Sequence, residues 1–137
     1  MALGILESVR TARAQLLIDA LDAGAAGGTI KLYTASRPAT GAAITDQTLL
    51  ATLTLSATSG VAAAGVLTFN AITADSSADA TNTIAWGRAA DSDGNFVLDL
   101  SCTATSGGGD IEFNTLSTII GNTVSVNTGG TFTEGNA

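Results

Sequence analysis

The feature that most constrains this chain is a change of hydrophobic period at Gly28. Before it, apolar residues recur at close to 3.6-residue spacing; after it, they alternate. The first pattern lays side chains along one stripe of a helix, the second along one face of a strand. Residues 5–22 carry Ile5, Leu6, Val9, Ala12, Leu16, Leu17, Ala20 and Leu21, with Glu7, Arg10, Arg13, Asp19 and Asp22 mainly between them. This predicts one amphipathic helix. Gly24 and the glycines through Gly28 supply its stop and a flexible turn.

Strands are predicted over residues 29–34, 49–55, 66–72, 83–88, 96–100, 110–114, 123–127 and 131–133. In the first of them Ile30, Leu32 and Thr34 share one face, and Lys31 and Tyr33 the other. Pro38 breaks any pairing in the loop 36–41. Residues 56–65 read as a small-residue loop. Asp91-Ser-Asp-Gly-Asn95 closes the clearest hairpin, and Gly107 to Gly109 form a joint. Trp86 and Phe96 are expected to anchor opposite ends of the core, and residues 134–137 to fray. No helix falls between the strands, which excludes a parallel βαβ sheet. The expectation is an all-β fold: an antiparallel β-sandwich, jelly roll or small barrel of about seven or eight short strands with one N-terminal amphipathic helix. Residues 1–28 form the helix and glycine-rich turn, residues 29–137 the β-sandwich domain, and the two make one folding unit.

A chain of 137 residues suits one domain. Its apolar fraction is 45 %, but much of that is alanine, so the core is thin and stands to gain from subunit contacts. Charged residues are 12 % of the chain against about 25 % in average domains. The net charge of −7 repels free nucleic acid and anionic membranes alike. A polar, weakly charged surface suits a large assembly of like subunits. The start of the chain lacks the basic segment and unbroken apolar run of a signal peptide, and no apolar stretch is long enough for a membrane span.

Chemistry is poorly provided for. The chain has no histidine and one cysteine, Cys102. A Ser-His-Asp triad and histidine-based zinc sites are therefore excluded, and a lone cysteine removes thiolate sites. Cys102 reads as a small buried residue at a strand end. Asp91, Asp93 and Asn95 alternate as in a calcium loop, but the glycine is misplaced and a strand follows at once, so a hairpin turn accounts for them. Asp75 and Asp79 share a polar loop; a carboxylate pair for glycoside hydrolysis is the sharper alternative to a solvated loop. The glycine-rich stretches lack phosphate-loop context. The chain is expected to be no enzyme and to hold no cofactor or metal.

Two stretches carry a resemblance. One is Leu17-Ile-Asp-Ala-Leu-Asp-Ala-Gly-Ala-Ala-Gly-Gly-Thr-Ile-Lys-Leu-Tyr-Thr-Ala-Ser-Arg-Pro38. The other is Leu49-Leu-Ala-Thr-Leu-Thr-Leu-Ser56, followed by the Asp/Ala/Thr loop, Trp86-Gly-Arg88 and Asp91-Ser-Asp-Gly-Asn95. In layout, over residues 10–127, this resembles small virion structural proteins of tailed bacteriophages and prophages. The resemblance implies a capsid decoration or cement protein, with a tail, neck or head-fibre component, receptor-binding included, as the alternative. It implies the major capsid protein as partner, homo-oligomers such as trimers, synthesis in a host cytoplasm and a place on the virion surface. It supplies no motif residues to transfer.

The expected function is binding without catalysis. Candidate interface residues are Ile5, Leu6, Val9 and Leu16 on the helix, Tyr33 on the first strand, and Arg37 and Pro38 in the loop that follows. Trp86 and Phe96 join Tyr33 as hot-spot candidates if they face outward. Strand edges would pair with a neighbour.

Overall fold

Residues 4–127 and the backbone of residues 131–133 are described by the computed structural model. The expected fraying of residues 134–137 lies outside them. A helix α1 (Glu7–Leu21) is followed by strands β1 (Thr29–Tyr33), β2 (Leu49–Thr54), β3 (Gly60–Ala63), β4 (Val66–Phe69), β5 (Asn82–Thr83), β6 (Trp86–Ala90), β7 (Phe96–Ala104), β8 (Ile111–Phe113), β9 (Ser117–Thr118) and β10 (Thr131–Thr133). The described fold is thus mostly β with one helix. Five strands form a curled half-barrel in the order β2-β1-β6-β7-β8. Three more form a sheet β10-β4-β3, and β5 pairs with β9.

The period-two pattern sets the inner face of the half-barrel. Ile30 and Leu32 of β1, Ala51 and Leu53 of β2, Ala89 of β6, and Leu100 and Cys102 of β7 are all buried there. Ala14, Ile18 and Leu21 of α1 join the same core, as do Leu67 and Phe69 of β4. The helix packs against β3, β4 and β7. It is also tethered by its polar groups: Thr11 Oγ1 accepts a hydrogen bond from Gly65 N (2.8 Å), and Asp22 Oδ1 accepts one from Ser59 N (2.8 Å).

Four expectations need correction. The five-stranded sheet is mixed, because β7 and β8 run parallel. Parallel neighbours normally need a crossover of a dozen or more residues. Here residues 105–110 suffice, because glycines let the return leg lie against Thr103. A Cβ on Gly107 would sit 2.6 Å from Thr103 Cβ, and one on Gly109 would sit 2.9 Å from Thr103 Cγ2. Glu112 fastens the loop by accepting from Ser106 N and Gly108 N (3.0 and 3.1 Å).

The second correction is inside residues 56–65, expected as a loop. Residues 60–63 form β3, which pairs with β4 through a two-residue turn at Ala64 and Gly65, both at positive φ (50° and 74°). Primed turns of this kind match the strand twist, but alanine gives no sequence signal for one. Third, residues 123–127 are not a strand. Val124 makes only an isolated bridge to Asp75, and β9 takes the pairing instead. Fourth, Gly27 and Gly28 are not a loose joint. A Cβ on Gly28 would meet Ala90 O at 2.5 Å, and one on Gly27 would run into Leu55 O, so the chain threads between two strand ends there.

Candidate functional site

The candidate interface residues fall on two separate surfaces, one on either side of the half-barrel. The first is the outward side of α1. At 3.6 residues per turn, Ala14, Ile18 and Leu21 line one side of the helix, and Val9 and Leu16, seven apart, line another. The first set is buried. Leu6, Val9 and Leu16 are 71, 46 and 66 % exposed. The sequence pattern treated all of these as one stripe. In the fold they divide, because apolar residues run nearly all round this helix and the core takes one side only. Ile5 is half-buried, and its carbonyl accepts from Arg10 Nε (3.3 Å). Leu6 is the N-cap and offers no capping side chain; its carbonyl takes the N–H groups of Val9 and Arg10.

The second surface is the outer face of the five-stranded sheet. Antiparallel register sets Tyr33 opposite Trp86, and their rings stack at 5.0 Å. The next row across the sheet runs Thr52, Lys31, Arg88, Asp99. Arg88 and Asp99 form a two-pronged ion pair, Nε to Oδ1 at 2.7 Å and Nη2 to Oδ2 at 3.1 Å. The Asp99 side chain is only 1 % exposed. The Arg88 guanidinium lies 5.3 Å from the Trp86 ring and 5.0 Å from the Phe96 ring, within cation–π range of both.

The segment between β1 and β2 folds onto this face. Arg88 Nη1 donates to Ala42 O (2.7 Å), and Gly41 N donates to Asp99 Oδ2 (3.3 Å). Gly41 also presses on Phe96: a Cβ there would lie 3.1 Å from the ring. Arg37, in the same segment, is exposed, and Pro38 is half-buried.

Trp86 and Phe96 do not anchor the core. Trp86 is buried on the far side of the sheet from it, and Phe96 is partly exposed. Tyr33 and Trp86 are too buried to be the outward hot spots considered from sequence. Tyr33 nevertheless lines a pocket of about 200 Å3 with Lys31, Arg88 and Phe96, and Thr29 at one end. Burial raises the Tyr33 phenol above its usual pKa, against the opposing pull of Arg88, so it stays a neutral hydrogen-bond donor near neutral pH. Sequence reasoning passed over Arg88 and Asp99. Their signal was present: Arg88 is two residues from Trp86, and Asp99 interrupts an apolar run on the strand across the hairpin.

The acidic groups singled out from sequence do structural work. Asp91 Oδ1 accepts from Asp93 N and Asn95 N, and its Oδ2 accepts from Asn95 Nδ2 (3.0, 2.9 and 2.9 Å). The Asn95 side-chain amide above all holds the Asp91 carboxyl below the usual carboxylate pKa range. Both oxygens are engaged by donors, which is the behaviour of a turn cap. Asp75 blunts the free edge of β2: its Oδ2 accepts from Thr52 N (2.8 Å) and its Oδ1 from Ser77 N (2.9 Å). Asp79 meets the same edge through its backbone, donating to Leu50 O. Cys102 is buried in the core, and burial, aided by Asp110, pushes its thiol up to about 12. It is poorly ionised and so a poor nucleophile.

Among the described residues, no group of three or more His, Cys, Asp or Glu side chains is placed to hold a metal ion, and no helix is long and apolar enough to cross a membrane. No protein-family model, no curated protein and no solved structure matches this chain.

Proposed function

We propose that this chain is a structural binding subunit, and within that class a decoration or cement protein on the outer face of a tailed-phage capsid. The observation that carries the reading is the outward side of α1. Three large aliphatic side chains stand in solvent on a helix whose other side is buried in the core. Exposed apolar residues grouped on one face mark an interaction surface more often than scattered ones do. Covering a Leu or Val side chain completely contributes about 1.5–3 kcal/mol, and many symmetric copies on a shell multiply a modest contact. The layout resemblance described above, the sparse charge and the lack of histidine support adhesion over catalysis. In this reading the partner is the major capsid protein, with like subunits beside it, and the three-stranded sheet completes a two-layer β-sandwich with the half-barrel.

The test is location followed by mutation. Gold-labelled antibody against the chain should decorate capsid shells across their whole surface. A Leu6→Ser/Leu16→Ser variant with an unchanged circular dichroism spectrum should be retained on shells at least tenfold less. Label confined to the neck or tail would move the protein to the alternative class. No association with any particle would end the proposal.

A further inference from the structure

The pocket on the outer sheet face has a charge that the fold does not balance. Lys31 and Arg88 are direct cross-strand partners, and like charges so placed repel. Asp99 neutralises Arg88 from the next strand. Nothing among the described residues does the same for Lys31: its ammonium makes no hydrogen bond or ion pair there, and its other neighbour across the sheet is Thr52. Asp75, beyond Thr52, is taken up by two backbone N–H groups. One uncompensated positive charge therefore stands on a rigid sheet face of a chain whose net charge is −7.

Other donors converge on the same place. Arg88 uses three N–H groups on Asp99 and Ala42, and a guanidinium has five. The neutral Tyr33 hydroxyl adds a donor, and the Phe96 ring supplies an apolar wall. The pocket of about 200 Å3 is smaller than the roughly 300–1,000 Å3 of sites for drug-sized ligands and suits one side chain.

We propose that this pocket is an anchor for a single carboxylate side chain, Asp or Glu, presented by a partner protein. Lys31 supplies the charge, Arg88 and Tyr33 supply directed hydrogen bonds, and the aliphatic part of the incoming side chain lies against Phe96. The site is on the opposite side of the half-barrel from Leu6, Val9 and Leu16. It does not rest on the partner being a capsid shell, and the two surfaces can fail separately.

The experiment is an NMR titration of the isotope-labelled protein with N-acetyl-glutamate α-amide, with N-acetyl-glutamine α-amide as the neutral control. The expected result is saturable shifts confined to Lys31, Tyr33, the Arg88 Nε–H and Phe96. Saturation should fall on the order of millimolar, the range of a single small contact, with no response to the glutamine compound. Lys31→Met should weaken the response about tenfold and Lys31→Arg should largely keep it. Equal shifts from both compounds, or shifts of equal midpoint at Arg10 and Arg37, would overturn the site. Acetate binding as tightly as the glutamate compound would overturn the choice of a side chain as occupant. The wild-type comparison needs no variant to fold.

Discussion

The two faces of the five-stranded sheet are built from the same strands and obey different rules. The inner face is apolar throughout, from Ile30 and Leu53 to Leu100 and Phe113. Its cohesion comes from area removed from water and has no preferred direction. The outer face holds the Tyr33–Trp86 stack, the Arg88–Asp99 pair and Phe96, with Gly41 and Ala42 fastened over them. Its cohesion depends on geometry. The Arg88 and Asp99 groups are satisfied by particular partners, and losing one partner strands the other. The inner face should therefore lose stability in proportion to volume removed, and the outer face according to which half of a pair is removed.

The largest effect expected is from Asp99→Ala. Leaving Arg88 without its buried carboxylate should cost about 3–5 kcal/mol in urea unfolding. Replacing both members, Arg88→Met with Asp99→Leu, should cost clearly less than the single change; equal or greater loss would break the contrast between the faces. Next comes Leu53→Ala on the inner face, expected to cost about 3 kcal/mol. A partner substitution at Leu100 should give no such rescue. Gly41→Ala is smaller, about 1 kcal/mol, because its φ of +72° is strained for any side chain. The added methyl would also crowd the Phe96 ring, seen as shifted ring-proton resonances by NMR.

The smallest effects appear only in alkali. Cys102 on the inner face and Tyr33 on the outer face both have raised pKa values in the fold. Each contributes stability that is complete below its unfolded pKa and is lost as pH rises through its folded one. For Cys102 the loss runs from 9.0 to about 12, and for Tyr33 it begins near 10.0. Cys102→Ala should remove the first part of the alkaline decline in melting temperature, and Tyr33→Phe the later part. A decline unchanged by both substitutions would show that neither face titrates as described.

The helix, β1, β2, β4 and the β6–β7 hairpin were legible in the sequence, because burial on one side imposes a period and because the Asp91 turn has its own chemistry. Illegible parts share a cause: they depend on contacts distant along the chain. Ala62 and Ala63 fit a strand only because Leu67 and Val66 lie opposite. The parallel placement of β8 depends on glycines lying against Thr103, which no local pattern announces. The side of α1 left in solvent could not be read, since Leu16 and Leu17 are adjacent and equally apolar, and only the core decides between them. Of the two candidate surfaces, the helix residues were named from sequence. The Lys31–Arg88–Asp99 row needed the register of three strands.

The direction in which the chain leaves β8 has a further effect. An antiparallel hairpin after Ala104 would have released the chain beside the Asp91 turn. The parallel crossover releases it at the other rim, where β6 begins. There Ile84 N meets Leu116 O, Ala78 N meets Asn122 O, and Val124 drops into the aliphatic interior. Residues 114–124 thus lie along the rim where β6 begins, and the tight bend that puts them there turns at positive φ at Ser106 and Gly108 (67° and 80°).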